Sequence, residues 1–267
     1  MNLQNEDRWL EVRTNIDQPE ITIANIIWCF DREKQTVNVL LIKRADFPYE
    51  NYWSLPETYL REKESADQAA LRLVSEKIGL ELPGSYTEQL ATFTNPLRSV
   101  AKKRQISLAY MTFLPDMPVL NPGAGAVAAK WFGLGVDAQH DYLFTGEQLS
   151  FALSKLQSEH NFYQTLRTNH HFGHLAFDHE WLLQAACQRI KNKLDYQPNV
   201  LHILGDTFTL KSVRIVYAVF LKISVADINN SNFRKTHQQF FEDIGLAENH
   251  GPGRPAYLYR LKKLENR

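Results

Sequence analysis

Residues 53–80 read Trp53-Ser54-Leu55-Pro56-Glu57-Thr58-Tyr59-Leu60-Arg61-Glu62-Lys63-Glu64-Ser65, then Ala66-Asp67-Gln68-Ala69-Ala70-Leu71-Arg72-Leu73-Val74-Ser75-Glu76-Lys77-Ile78-Gly79-Leu80. Small and apolar residues recur at helical spacing over 66–78. Gly79 is the expected stop, because glycine takes the left-handed conformation at a helix end without strain. Upstream, the β-branched run 21–30 predicts a buried strand, 31–35 a turn and 37–42 a second strand, so the two form a hairpin. Downstream, 106–114 and 128–134 predict further strands. Strands, a helix and strands again imply an α/β or α+β domain rather than a helical bundle.

Working outward, residues 1–19 form a polar lead-in with a short amphipathic piece around Trp9. The stretch 137–167 carries weaker signals; Thr145 is placed to cap a helix over 146–156. Asp178 is placed to cap a helix over 179–194, with Trp181, Leu182, Ala186 and Ile190 on one face. Asp195-Tyr196-Gln197-Pro198 breaks that helix and reads as a linker. Beyond it, Thr209 caps an apolar helix over 210–221, a helix of two turns follows, and 230–244 predicts a third. A Gly/Pro turn at 250–255 and a short strand at 256–260 close the pattern. Three helices ending in a glycine-rich basic hairpin is the winged variant of helix-turn-helix.

Composition sets outer bounds. The 267 residues are 44% hydrophobic and 22% charged, enough to fill a core, which excludes disorder and collagen-like repeats. At roughly 100–200 residues per domain the length allows one large domain or two ordinary ones. The apolar runs 21–30 and 213–223 are about half the ~20 residues of a membrane span, and the N-terminus lacks a signal-peptide core, so a cytoplasmic protein is expected. Cys29 and Cys187 lie in apolar stretches and read as buried free thiols. Thirty basic residues balance thirty acidic ones, yet 201–267 carries ten basic and six acidic, a net of +4 against −4 for the rest. That asymmetry hints at a polyanion partner for the tail.

The 53–80 segment resembles the Nudix box, the loop–helix–loop that binds divalent metal and a diphosphate in Nudix hydrolases. Glu64, Arg72, Val74, Glu76, Gly79 and Leu80 stand at the pattern's positions. The pattern's two leading glycines are replaced by Glu57 and Thr58, and two of its glutamates by Leu73 and Lys77. Positions 73, 76 and 77 share one helix face. The resemblance implies that this face should cluster carboxylates around Mg²⁺ or Mn²⁺; here it offers one Glu, one Leu and one Lys. An ammonium a few ångströms from a doubly charged ion repels it, so metal-dependent hydrolysis by this helix is not expected. No cofactor is then required. Glu64 and Glu76 are metal ligands only if the protein is hydrolytic, and either can instead pair with Arg72. Lys77 can hold a diphosphate where a cation would sit, or simply end an exposed helix. Arg44 and Arg98 suit phosphates because a guanidinium binds bidentately, and Glu57 completes the candidate ligand-binding set. Lys102-Lys103-Arg104 reads as a solvated loop, Gly123-Ala124-Gly125 as a loop before a strand. His170, His171, His174 and His179 are too irregularly spaced for a metal site.

The order of pieces further resembles the Nudix-related transcriptional regulators of NAD metabolism, which fuse a Nudix-like sensor to a C-terminal winged helix. Leu175-Ala176-Phe177-Asp178-His179 matches their inter-domain junction. Phe208-Thr209-Leu210 through Val216-Tyr217 and Asn232-Phe233-Arg234-Lys235 match their first winged-helix segment and recognition helix. Gly253-Arg254-Pro255-Ala256-Tyr257-Leu258-Tyr259 matches their wing. The resemblance implies a Nudix α/β/α sandwich with mixed sheet over 20–196 and a winged-helix DNA-binding domain over 197–267; the stretch 137–172 departs from it as an insertion where the family has a short connection. It implies a homodimer on double-stranded DNA that responds to ADP-ribose or a related pyrophosphate nucleotide. Asn232, Arg234, Lys235 and Arg254 would contact DNA: an Asn reads an adenine edge, Arg and Lys take guanine or phosphate, and an Arg at a hairpin tip enters a narrow minor groove. The alternative is a divergent metal-dependent Nudix hydrolase of ADP-ribose-like substrates, drawing ligands from Glu57, Glu62 or the insertion.

Overall fold

The computed structural model describes residues 18–79, 87–98, 103–123, 125–147, 149–153, 158–166, 174–247 and 255–262. Its centre is β1 (Glu20–Asp31), buried along nearly its whole length. A strand covered on both faces needs apolar residues in both parities, which is why this segment reads as a continuous run rather than an alternation. Ala24, Ile26, Trp28 and Phe30 enter the main core, while Ile23, Ile27 and Cys29 meet the opposite layer.

Strand β1 divides its partners. Its second half forms the predicted hairpin with β2 (Thr36–Arg44), in register Trp28↔Val39, and its first half pairs with β4 (Glu57–Tyr59). β3 (Trp53–Ser54) lies against the end of β2. β5 (Thr87–Phe93), β6 (Gln105–Phe113), β7 (Ala126–Val136), β8 (Tyr142–Thr145) and β9 (Ser150–Leu153) complete a sheet of order β5-β6-β1-β2-β7-β8-β9 among the described residues. β1 and β6 run parallel and the other pairs antiparallel, so the sheet is mixed.

Helix α1 (Ala66–Ile78) covers one face. Ser65 and Gln68 form a reciprocal capping box, and Gly79 (φ 70°) closes the helix as predicted. Ala69 and Ala70 let it sit close to the sheet beside Ile23 and Tyr110, and Asn25 Nδ2 donates to the Ala70 carbonyl. α2 (Glu159–Leu166) and α3 (His179–Lys193) belong to the other side, followed by a 3-10 turn, Asn199–Leu204. Helices α4 (Leu210–Leu221, capped by Thr209) and α5 (Asn230–His237, capped by Asn229) precede the hairpin β10 (Phe241–Leu246) and β11 (Tyr257–Leu261). Phe208 and Tyr259 exchange backbone hydrogen bonds, tying the start of α4 to that hairpin.

Four expectations are corrected. The helix expected over 146–156 gives way, in its described residues, to a strand: β8 and β9 form a hairpin in which Phe151 and Leu153 are buried while Ser150 and Ala152 are exposed, a period of two. The two-turn helix after 221 is a single 3-10 turn, Val225–Asp227, because Ile228 turns extended to enter the Asn229 cap. The predicted helix 230–244 ends at His237, since 241–246 is needed as a strand against 257–261. The supposed linker 195–198 exposes Asp195 and Tyr196 but is held at both ends rather than loose. Lys193 and Asn199 on its two sides both donate to Glu88, and the Tyr217 hydroxyl donates to Leu194 O.

One hydrophobic core runs from β1 through α3 into α4, α5 and the hairpin. Trp28 meets Phe220 edge-on at 5.6 Å. The β7–β8 turn also grips the end of α4: Tyr142 OH donates to Phe220 O, and Lys222 Nζ, 4.0 Å from the Tyr142 ring centroid, donates to His140 O. Both thiols are buried, as expected. None of the described helices is long and apolar enough to cross a membrane.

Candidate functional site

Three ends converge beside the sheet: Arg44 closes β2, Glu57 opens β4 and Lys77 stands in the last turn of α1. Arg44 Nε donates to the Pro48 carbonyl, and its guanidinium carbon lies 4.8 Å from the centroid of the Phe177 ring. Tyr49 packs on Phe177 at 4.8 Å and on Tyr52 at 5.4 Å, making an aromatic wall. Burial lowers the pKa of both Arg44 and Lys77, with nearby carboxylates (Glu57 and Asp46 for Arg44, Glu76 for Lys77) opposing the shift. Lys77 is half-buried, not the exposed end of a helix, and Arg44 acts on its charge as well as on that of Glu57, so the three mark out a candidate cleft. Gly123 and Gly125 lie close to Lys77. A side chain on Gly123 would meet Glu76 O at 2.4 Å, and one on Gly125 (φ +75°) would lie 3.8 Å from Lys77 Nζ and 3.9 Å from Asp46 Oδ2.

Beneath the cleft lies a buried ion pair. Arg98 Nε and Nη2 donate to the two oxygens of Asp178 at 3.0 and 3.1 Å, and Tyr163 OH donates to Asp178 Oδ2 at 2.7 Å. Their side chains are 3% and 0% exposed for Arg98 and Asp178. The next residue, His179, has its ring fully buried. The Leu55 N–H donates to His179 Nδ1 at 3.0 Å, which places the ring proton on Nε2, 3.8 Å from Glu57 Oε2. Burial pushes the His179 pKa down to about 3, so the ring is neutral.

The Nudix-box-like carboxylates have other employment. Arg72 donates to both oxygens of Glu64 (2.8 and 2.6 Å) and to Glu76 Oε2 (2.9 Å), and Arg61 takes Glu76 Oε1 at 2.9 Å. The Arg72 bond holds the Glu64 pKa at about 2. Leu73 is fully buried in apolar surroundings. A hard divalent ion needs several free oxygen ligands. Two carboxylates neutralised by guanidiniums, with an ammonium one position on, do not fit it.

The other exposed chemistry is on α5. Phe233 and His237 face inward, with Tyr217 edge-on to Phe233 at 4.9 Å. Asn232, Arg234 and Lys235 are consequently turned to solvent. Arg234 is steered by Asp243 at 3.5 Å and lies 5.8 Å from the Tyr259 ring centroid.

The family model of the NUDIX domain matches residues 21–136, and that of the NrtR DNA-binding winged helix domain matches residues 200–261. The chain thus carries a Nudix domain followed by a winged helix domain of the NrtR type. A relative, the ADPR responsive transcriptional repressor NtrR of Acinetobacter baylyi, is 24% identical, covering 98% of this chain and 90% of its own length. A MutT/nudix family protein from Enterococcus faecalis has a similar crystal structure, with TM-score 0.79 at 28% identity over 98% of this chain and 94% of that one. NrtR of Shewanella oneidensis, crystallised with a 27mer DNA, gives a TM-score of 0.63 at 25% identity, covering 91% and 93%.

Within this Nudix-plus-winged-helix frame, Arg44 lies near enough to act on the charges of both Glu57 and Lys77, and α5 leaves Asn232, Arg234 and Lys235 exposed. Arg98 departs from its expected place. Its Nε and Nη2 are spent on Asp178, so it supports the cleft from below rather than offering those donors to a ligand. Asp178 likewise precedes α3 without its side chain capping it, because both oxygens are engaged by Arg98 and Tyr163. Arg254, Lys102, His170 and His171 lie outside the described residues. His174 pairs with Glu180, and no cluster of three metal-ligating side chains occurs among the described residues. Sequence reasoning passed over Tyr49, Tyr52 and Phe177 as site residues, and took His179 only as part of the junction motif and of a histidine group unsuited to metal. The available signal was the Phe-Asp-His order within 175–179.

Proposed function

We propose that this protein is a cytoplasmic DNA-binding regulator whose Nudix domain holds ADP-ribose or a related pyrophosphate nucleotide without needing metal. The carrying observation is a guanidinium-locked Nudix box on one face of the sheet and, sharing the core on its other face, a winged helix that displays Asn232, Arg234 and Lys235. Arg44 and Lys77 supply the positive charge a diphosphate needs, and Phe177 with Tyr49 supplies a surface for a base or sugar. The Acinetobacter relative, named for its response to ADPR, supports this reading. A homodimer would set two α5 helices about one DNA turn apart on a palindromic site.

Helix α3 offers the route between the sites. It starts at His179 beneath the cleft and, at about 1.5 Å per residue, carries any displacement to Leu194. The Leu194 carbonyl accepts from Tyr217, which packs on Phe233 of α5. A ligand can shift DNA affinity only by binding the two arrangements of this path unequally. The test is a gel shift on DNA upstream of the protein's own gene, with and without ADP-ribose, and an assay of the same mixtures with Mg²⁺ for AMP. A shift that ADP-ribose alters, with no AMP formed, is expected. AMP formation without any shift would replace the regulator by a hydrolase.

A further inference from the structure

Glu57 is an expensive residue in its place. It stands where the Nudix pattern has glycine, its side chain is only 19% exposed, and burial raises its pKa. The groups around it are organised. His179 has its tautomer fixed by the Leu55 N–H. Its Nε2–H, fully buried and without a hydrogen-bond partner, is therefore aimed at Glu57 Oε2 at 3.8 Å, too near for a water between them. Arg44 and Arg98 both draw on the Glu57 charge, and Arg98 is itself pinned by Asp178. Thr22 also steadies the carboxylate from inside, and the Glu57 side chain keeps the 19% exposure through which a ligand can reach it.

The cleft is also mixed in sign. Arg44 and Lys77 are accompanied by Glu57 and by Asp46, whose Oδ2 shares the surroundings of Gly125 with Lys77 Nζ. A site for phosphate alone would exclude carboxylates, because like charges in a half-buried cleft repel. Carboxylates beside cations suit a ligand that joins a diphosphate to hydroxyl groups, since an ionised carboxylate is an acceptor only and takes two hydroxyl protons at once. We propose that Glu57 is a specificity-determining residue that accepts hydrogen bonds from the hydroxyls of a sugar attached beyond the diphosphate, with His179 as its positioning residue. The protein would thereby distinguish a nucleoside diphosphate that bears a sugar from the bare nucleoside diphosphate. The proposal rests on the reading of the cleft as a pyrophosphate-nucleotide site.

The test is calorimetric titration of the full chain with ADP-ribose and, separately, with ADP, for the wild type, Glu57→Gln and Glu57→Gly. Charged hydrogen bonds of this kind are worth about tenfold or more in affinity. Wild type should bind ADP-ribose at least about tenfold more tightly than ADP. Both variants should lose most of that preference while keeping their affinity for ADP. Unchanged thermal unfolding of either variant shows that the fold is intact. His179→Gln should reduce the same preference without abolishing ADP binding. Equal losses for both ligands would overturn the proposal, and equal gains would recast Glu57 as an internal competitor for the anion site. Failure of the wild type to bind either nucleotide would overturn the cleft reading itself, and the proposal with it.

Discussion

Replacing Arg98 with methionine removes the partner of a carboxylate that has no water to turn to. Asp178 is fully buried and receives two donors from Arg98 and one from Tyr163. Met fills much the same volume, so the loss is chiefly electrostatic. Stripping one member from a buried pair costs about 3–5 kcal/mol, because the other charge is left uncompensated. For a chain of this size each kcal/mol moves Tm by about 2–4 °C. Arg98→Met should therefore lower Tm by roughly 6–20 °C and shift the urea midpoint in proportion. Asp178→Asn added to Arg98→Met should recover part of the loss, since the amide no longer carries a stranded charge and keeps an oxygen for the Tyr163 hydroxyl. Urea unfolding followed by tryptophan fluorescence checks both. A variant as stable as wild type that instead loses only ADP-ribose affinity would refute the structural role and return Arg98 to the ligand.

On DNA, Arg234→Ala and Lys235→Ala should each weaken binding and reduce the salt slope of log K by about 1 if the residue contacts phosphate. Asn232→Ala should cost about 1–3 kcal/mol of discrimination at one base pair; fluorescence anisotropy against salt and against single-base variants measures both. With His179 at about 3 folded and 6.5 free, the unfolded chain binds a proton the folded chain refuses. Stability should then fall as pH drops below 6.5, approaching about 1.4 kcal/mol per pH unit from this group, and unfolding titrations of His179→Gln should lack that component. Gly123→Ala should destabilise by about 1–3 kcal/mol, because its Cβ would press on the Glu76 carbonyl; an unchanged Tm would show that the loop is not held so close.

The parts of the fold that were legible in the sequence are those written in local pattern. The β1–β2 hairpin, the helix closed by Gly79 and the Thr209 cap all follow from burial periodicity and end chemistry. The parts missed depend on distant partners. Residues 230–244 keep helical spacing through Phe233, His237, Phe240 and Ile244, but Phe241 is claimed by Leu261 across the β10–β11 ladder. β9 is four residues long, too short for its alternation to outweigh the capping signal at Thr145. At the site, the replaced box positions were readable as a loss of metal ligands. That Glu64 and Glu76 would be tied to Arg72 was one of two open readings; the Arg61 contact needed the folded loop. Asp178 misled because Asp before a helix is so often a cap, and only the approach of Arg98 and Tyr163 shows its real partners.

The central claim, that one ligand and DNA compete for arrangements of a single core, is tested most directly by reciprocity. ADP-ribose affinity would be titrated with the protein free and with the protein saturated by the DNA fragment it shifts. Linkage requires the two ligands to change each other's affinity by the same factor. The account predicts that DNA alters the ADP-ribose Kd by the factor, typically 5–150-fold, by which ADP-ribose alters the DNA Kd. An ADP-ribose Kd identical in the free and DNA-bound protein would contradict it.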